Sequence, residues 1–421
     1  MAKKVSTLSK LMASGILIGY TNKKIKNFFV NLRKRIDLLI GMAYRKHHYK
    51  KGEIVNNRIF MFTFDDQYTC NPKAIAEEII RRKLPVEIYW AVNKGSKMAE
   101  FPPEIRTVKH RSFEAYEMQA SSKVWIENAL NGTWDNMPKK QGQYYINTWH
   151  GSLGIKRLSG NKNWTYRARL SGSCTDYMIS NSTFENEVYS GSFWPNVPSL
   201  LYGHPRNDIF FQPEQFPEIR KEICEYFGIS PEDKIMLYAP TFRDGDDFSW
   251  NNLNFRRLKA ALEKKFGGNW VIFVRMHFKN RNRPIAREDD SWLKNAGSYA
   301  NMQRLLTVVD AGITDYSSWA YDYILTKRPM FLYVPDIAKY ENDKGFYYPL
   351  SSTPFPMAKN NKEMQQQILD FDMDKYLADC EKFLEEKGCV EDGHASERVV
   401  DKLIELMGID PNATDDEDED F

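Results

Sequence analysis

"RIFMFTFDDQYTCNPKAIAEEIIRRKLPVEIYWAV", residues 58–92, holds the pattern that decides the fold. It opens on a short apolar, β-rich run, "RIFMFTF". "NPKAIAEEIIRRK" follows, with Asn71 expected as an N-cap and Pro72 at the first helical position. A second strand-like run, "VEIYWAV", closes it. A strand, a helix and a strand in so short a space make the unit of a parallel sheet covered on both faces.

The alternation continues outward. "FEAYEMQAS" reads as a helix, "KVWIEN", "GQYYINTW" and "DYMISN" as strands, "STFENEVYSG" as a helix and "SLLYG" as a strand. After a helical segment, "EIRKEICEYFG", a second series begins: "KIMLYAPTF", "NFRRLKAALEKKFG", "WVIFVRMH", "NMQRLLTVVD", "AGITDYS", "SWAYDYILTK" and "MFLYV". The remainder reads as helical. The expected fold class is α/β, with two parallel-sheet domains facing a cleft. In such sheets ligands bind beyond the carboxyl ends of the strands, so motifs at those ends carry the functional weight.

A chain of 421 residues suffices for two or three domains. The net charge of +3 hides an uneven distribution: thirteen Lys or Arg lie between Met1 and Lys51 against a single acid, Asp37. "LMASGILIGY" is too short an apolar run to span a bilayer, which needs ~20 residues. Basic clusters interleaved with Phe28, Phe29, Val30, Leu32, Ile36, Leu39 and Ile40 read as amphipathic helix. Such a helix favours an anionic membrane surface, although packing on the protein body would leave the same pattern. No RNA- or DNA-binding motif accompanies the basic residues, so no nucleic-acid partner is expected. The acidic end, "DDEDEDF", reads as a solvated tail. The five cysteines are scattered with no CxxC pair, which speaks against a disulfide framework and a structural zinc site.

Four motifs fall at strand ends: Trp149-His150-Gly151; "YGHPRND", residues 202–208; the pair "YAPTFRDGDD" and "VRMHFK"; and "ITDYSSWAYDY", residues 313–323. Ser317 and Ser318 are placed at a helix N-terminus, where N–H groups favour an anion, or where a serine simply caps the helix. Arg243 and Arg275 end neighbouring strands and are placed to converge on the same side. His150 and His277 are the two candidate bases, one per series, since an unperturbed pKa of ~6.5 suits proton transfer near neutrality. A hydrogen-bonded structural histidine is the competing reading of each. Asp244 to Asp247 read as an exposed loop, with no further ligands at metal-site spacing.

"NTWHGSLGIKRL", "YGHPRND", "YAPTFRDG", "RMH", "TDYSSWAYDY", "PDIAKYENDKGFYY" and "EDGHASERVV" occur in the order seen in the CDP-glycerol glycerophosphotransferases of teichoic acid synthesis. The resemblance covers residues 56–405. It implies a GT-B-like enzyme with two Rossmann-like domains: a basic amphipathic segment at 1–51, an acceptor domain at 52–215, a nucleotide-donor domain at 216–408 and a tail at 409–421. It implies transfer of glycerol phosphate, or a related polyol phosphate such as ribitol phosphate, from a CDP-linked donor. The acceptor implied is a hydroxyl of a lipid-linked teichoic-acid or capsule-type polymer, CMP is released, and the CDP-polyol is a substrate rather than a cofactor. Carried over, His150 resembles the base and His277 the second active-site histidine, at the diphosphate or the departing CMP. Asp315, Ser317 and Ser318 resemble pyrophosphate- and glycerol-side contacts, with Arg243 and Arg275 as phosphate partners. Asp392, Ser396 and Arg398 fall near the nucleotide end; Gly151, Ser152 and Lys156 on the acceptor side. No metal site is implied. The implied setting is peripheral, on the cytoplasmic face of the membrane, and leaves room for a homo-oligomer. Where the family commonly has threonine-proline after "WHG", Ser152 and Leu153 stand here, an expected point of difference in acceptor choice. A sugar transferase using a nucleotide sugar is the alternative enzyme reading, and a catalytically silent membrane scaffold the non-enzymatic one.

Overall fold

The computed structural model describes residues 53–64, 66–130, 139–154, 156–158, 172–241, 252–276 and 291–411, with eight helical positions between Phe28 and His47. The rest of the 1–51 segment, Arg243, the 244–247 loop, His277 and the tail from 412 on lie outside the described residues. No described helix is long and apolar enough to cross a membrane.

The first sheet holds β1 (Val55–Phe62), β2 (Glu87–Val92), β3 (Ile105–Lys109), β4 (Ser122–Glu127), β5 (Tyr144–Asn147), β6 (Tyr177–Ser180) and β7 (Ser199–Leu201). Its order is β3-β2-β1-β4-β5-β6-β7, and every pairing is parallel. The second sheet holds β8 (Lys234–Tyr238), β9 (Trp270–Val274), β10 (Leu293–Asn295), β11 (Ala311–Thr314), β12 (Met330–Tyr333) and β13 (Met357–Ala358). It runs β10-β9-β8-β11-β12-β13, again parallel throughout. In both sheets the central strands are buried on both faces, which is why they read as continuous apolar runs rather than alternating ones.

Each sheet reverses its order once, between β1 and β4 and between β8 and β11. Crevices open at such points, because the flanking connections leave on opposite faces. The carboxyl ends of β1 and β4 at the first reversal lead into Phe64 and Asn128, and that of β5, next to β4, into His150; those at the second reversal lead into Thr241 and Asp315.

Two local expectations are corrected. The first crossover helix spans Cys70–Arg81 with Thr69 as its N-cap, so Asn71 lies inside it; Asn71 is fully buried and its side chain serves a distant loop, described below. The last helix, Ala395–Met407, falls within the 216–408 span expected for the second domain, yet it packs on the first. Val399, Val400, Leu403, Leu406 and Met407 share a core with Ile59, Met61, Ile75, Ile79 and Ile126. The helix has a strong apolar stripe, and the face of the first sheet is where that stripe leaves water.

Candidate active site

The turn after β5 carries His150. Asn147 Oδ1 accepts from the Trp149 N–H at 2.8 Å, and Trp149 adopts a φ of +48°, unusual for a bulky side chain. From the Cys70–Arg81 helix, Asn71 Nδ2 donates to the carbonyls of Thr148 (3.1 Å) and Trp149 (3.3 Å). His150 Nδ1 lies 2.5 Å from the Asn128 carbonyl. A carbonyl oxygen can only accept, so Nδ1 carries the proton and Nε2 keeps its lone pair. Trp149 stacks on the imidazole at 4.6 Å between centroids, and Phe64 leans on it at 5.2 Å. Phe64 is itself fixed by Asn128, whose Oδ1 accepts from the Phe64 N–H at 2.9 Å. Burial pushes the His150 pKa down to about 4, the nearby Arg206 guanidinium adding to that effect and the Asn128 carbonyl opposing it. At neutral pH this side chain is an uncharged imidazole with one basic nitrogen. Such a nitrogen can accept a proton, and the lowered value makes it a weaker base than an ordinary histidine.

The chain then crosses to the second sheet. Lys156 forms an antiparallel bridge with Phe346, and Arg157 donates from Nε to the Phe346 carbonyl at 3.0 Å. Lys156 Nζ lies 3.3 Å from Thr241 Oγ1, and Thr241 donates from N and Oγ1 to Asp315 Oδ1 at 2.8 and 2.7 Å. One side chain thus reaches from the His150 segment to the reversal point of the second sheet. A Cβ added to Gly154 would stand 3.8 Å from the Ser318 Cβ, so the base-bearing segment abuts the "DYSS" turn. Ser318 precedes the short Trp319–Tyr323 helix without capping it, and both Ser317 and Ser318 are partly exposed. Their hydroxyls carry no hydrogen bond to a described side chain or carbonyl. Asp315 is buried and organises Thr241 and the Tyr316 N–H, so its place is behind the turn.

The profile of the CDP-glycerol:poly(glycerophosphate) glycerophosphotransferase family matches residues 42–405. The chain belongs to that family. The teichoic acid poly(glycerol phosphate) polymerase of Bacillus spizizenii is 26% identical over 412 residues, covering 93% of this chain and 100% of its own. The polymerase of the same name from Staphylococcus epidermidis is 27% identical over 406 residues, 91% of this chain and 54% of its own, so the chain spans about half of that relative. A solved structure of the wall teichoic acid polymerase TagF, in a variant soaked with CDPG, superposes with a TM-score of 0.75 at 25% identity, covering 91% of this chain and 98% of that one. The expected GT-B-like pair of parallel-sheet domains is therefore the architecture of this glycerophosphotransferase-family chain.

Within this family member several expected site residues face protein instead. Ser152 is buried, and its Oγ accepts from Asn181 Nδ2 at 2.9 Å. Leu153 is fully buried in the core of the second sheet, with φ at +35° and its N–H on Glu185 Oε1 at 3.2 Å. The pair latches the two domains, which corrects the expectation that it contacts an acceptor. Gly151 is held by its carbonyl, which accepts from Arg206 Nη2 at 2.7 Å. Arg275, expected beside a phosphate, donates to the carbonyls of Ala296 (2.8 Å), Tyr299 and Ala300 (3.4 Å), shaping the turn after β10. Asp392 and Arg398 form an ion pair with each other, and Arg398 also donates to the Tyr202 carbonyl at 3.0 Å. Ser396 is buried, its N–H on Asp208 Oδ2 at 2.7 Å. "EDGHASER" therefore docks the last helix onto "YGHPRND".

A buried polar network beneath the turn was not singled out from sequence. His204 Nε2 donates to Glu185 at 2.9 Å; Asn181 and Asn207 donate to Glu391 Oε1 at 3.0 and 2.8 Å; Arg206 pairs with Asp322. Gly203 has φ +90° and leaves no room for a Cβ, which would lie 3.0 Å from Glu391 Oε2. "YGHPRND" was the available signal, for it sets four polar side chains, His204, Arg206, Asn207 and Asp208, in the five residues 204–208 just past a strand end.

Proposed function

We propose that this chain transfers glycerol phosphate, or a related polyol phosphate, from a CDP-linked donor to a hydroxyl of a lipid-linked teichoic-acid or capsule-type acceptor. The acceptor oxygen attacks the β-phosphorus of the donor. As that O–P bond forms, the bond from phosphorus to the bridging oxygen breaks and CMP leaves with the electron pair. His150 Nε2 takes the acceptor proton. Ser317 and Ser318 supply hydroxyl donors to the diphosphate, and Lys156 adds positive charge on the same side. His277 and Arg243 are assigned to the phosphates on the family resemblance. On this reading the CDP-polyol is a substrate and no resident cofactor is called for. The basic 1–51 segment holds the protein peripherally on an anionic membrane surface, at the cytoplasmic face, where a nucleotide donor and a lipid-linked acceptor meet.

The observation that carries the reading is the tautomer of His150: with Nδ1 bound to the Asn128 carbonyl, Nε2 keeps the lone pair that takes the acceptor proton. Family membership and the CDPG soaked into TagF support the donor class. The test is CMP release from CDP-glycerol and CDP-ribitol with a short lipid-linked acceptor. His150→Ala should lower turnover by about 10²–10⁴-fold while leaving the thermal unfolding profile in place. A folded His150→Ala with parental turnover would remove the base assignment.

A further inference from the structure

The Arg206–Asp322 pair is buried at both ends, with side-chain exposures of 3% and 5%. Arg206 follows β7 of the first sheet; Asp322 lies in the Trp319–Tyr323 helix of the second domain, directly after the two serines. The guanidinium donates from Nε and Nη2 to the two Asp322 oxygens at 3.1 and 3.0 Å, and Nη2 also donates to the Gly151 carbonyl. The Arg206 backbone N–H donates to Asn71 Oδ1 at 3.1 Å, which orients Asn71 so that its Nδ2 holds the Thr148 and Trp149 carbonyls. Residues 148, 149 and 151, all around His150, are therefore fixed by Arg206 or by the side chain it orients. Asp322 accepts in addition from Asn207 Nδ2 (3.1 Å) and Gln303 Nε2 (3.4 Å), so its carboxylate has no freedom to turn away.

We propose that Arg206 is a positioning residue for the transfer: its planar fork ties the turn that presents His150 to the helix that follows Ser317 and Ser318. The inference rests on the reading of His150 as the base and the serines as donor contacts. A lysine carries the same charge but lacks the planar fork that grips both Asp322 oxygens while the same Nη2 holds the Gly151 carbonyl. Misplacing a base by about 1 Å is enough to cost ~10²-fold in rate.

Arg206→Lys in the full chain is the test, with Asp322→Asn as the second variant should the first not fold. The expected result is a fall in kcat for CMP release of ~10²-fold, with the Kd for CDP-glycerol by calorimetry within ~3-fold of the parent. Carbethoxylation of His150 by diethyl pyrocarbonate, followed by peptide mass spectrometry, reads the turn without any turnover. It should accelerate at least ~3-fold once the Gly151 carbonyl loses the Arg206 fork, the backbone N–H of residue 206 on Asn71 being retained. A folded variant whose His150 is modified at the parental rate overturns the proposal. If the parent releases no CMP from either CDP-polyol, the transfer reading fails, and the modification rate still decides whether Arg206 positions His150.

Discussion

Replacing Leu153 measures how firmly the base-bearing segment is bolted into the second domain. Its side chain is fully buried among that domain's core residues, though its chain neighbours belong to the turn after β5. Truncation to alanine removes a buried side chain and leaves a cavity, at a cost of about 2–5 kcal/mol. Proline adds two further losses. Its φ is fixed near −65° whereas this position sits at +35°, and the N–H that reaches Glu185 disappears. A buried carboxylate deprived of a donor costs about 1–3 kcal/mol more, so Leu153→Pro should be worse than Leu153→Ala by at least that amount. Glycine offers an internal control. It relieves a strained φ worth about 1–3 kcal/mol, so Leu153→Gly should be no less stable than Leu153→Ala, the reverse of the usual order. Calorimetric unfolding of the three variants checks the series; the alanine variant should melt at least ~4 °C below the parent. A Leu153→Pro protein melting within ~2 °C of the parent would refute the described geometry, and with it the account of how this chain departs from the family's threonine-proline.

Two further outcomes follow from the site. Arg398→Ala should leave the Kd for CDP-glycerol unchanged and cost no more than about 1 kcal/mol in urea unfolding, since the Asp392–Arg398 pair is solvent-exposed; a tenfold loss of donor affinity would return Arg398 to the nucleotide site. Because the His150 pKa is lowered to about 4, the neutral base persists above that value and is lost only as pH falls through it. The acidic limb of kcat/KM for CMP release should therefore lie near pH 4, and a limb near the unperturbed ~6.5 would contradict the half-buried, carbonyl-bound imidazole. Stability follows the same sign. The unfolded chain takes up the proton first, so this group's contribution is complete above ~6.5 and is lost as pH drops toward the folded value.

The architecture was legible because apolar runs of five to eight residues between helical stretches mark buried parallel strands, as in "RIFMFTF" and "WVIFV". β10 and β13, of three and two residues, are too short to leave a period. The strand-end motifs located His150 and the serine turn, because topology alone puts strand ends at the cleft. Partners were not legible. Arg206 and Asp322 are 116 residues apart, Asn181 and Glu391 210, and such contacts leave no trace in local spacing. "EDGHASER" shows why partners are hard to read: Asp392, Ser396 and Arg398 present groups that suit a nucleotide, and a helix terminus and a loop carbonyl, which they meet in the structure, ask for the same donors and acceptors. Ser152 and Leu153 looked variable in function because a turn beside a base suggests substrate; their burial shows a load carried between domains.

The return of the Ala395–Met407 helix to the first sheet sets an order of assembly. During synthesis the second domain has all its strands once residue 358 has emerged, while Ile59, Met61, Ile75 and Ile126 still lack the stripe that covers them. Domains usually close from the N-terminus as the chain lengthens. Here the apolar face of the first sheet stays uncovered until residues 395–407 have also emerged, after every strand of the second sheet.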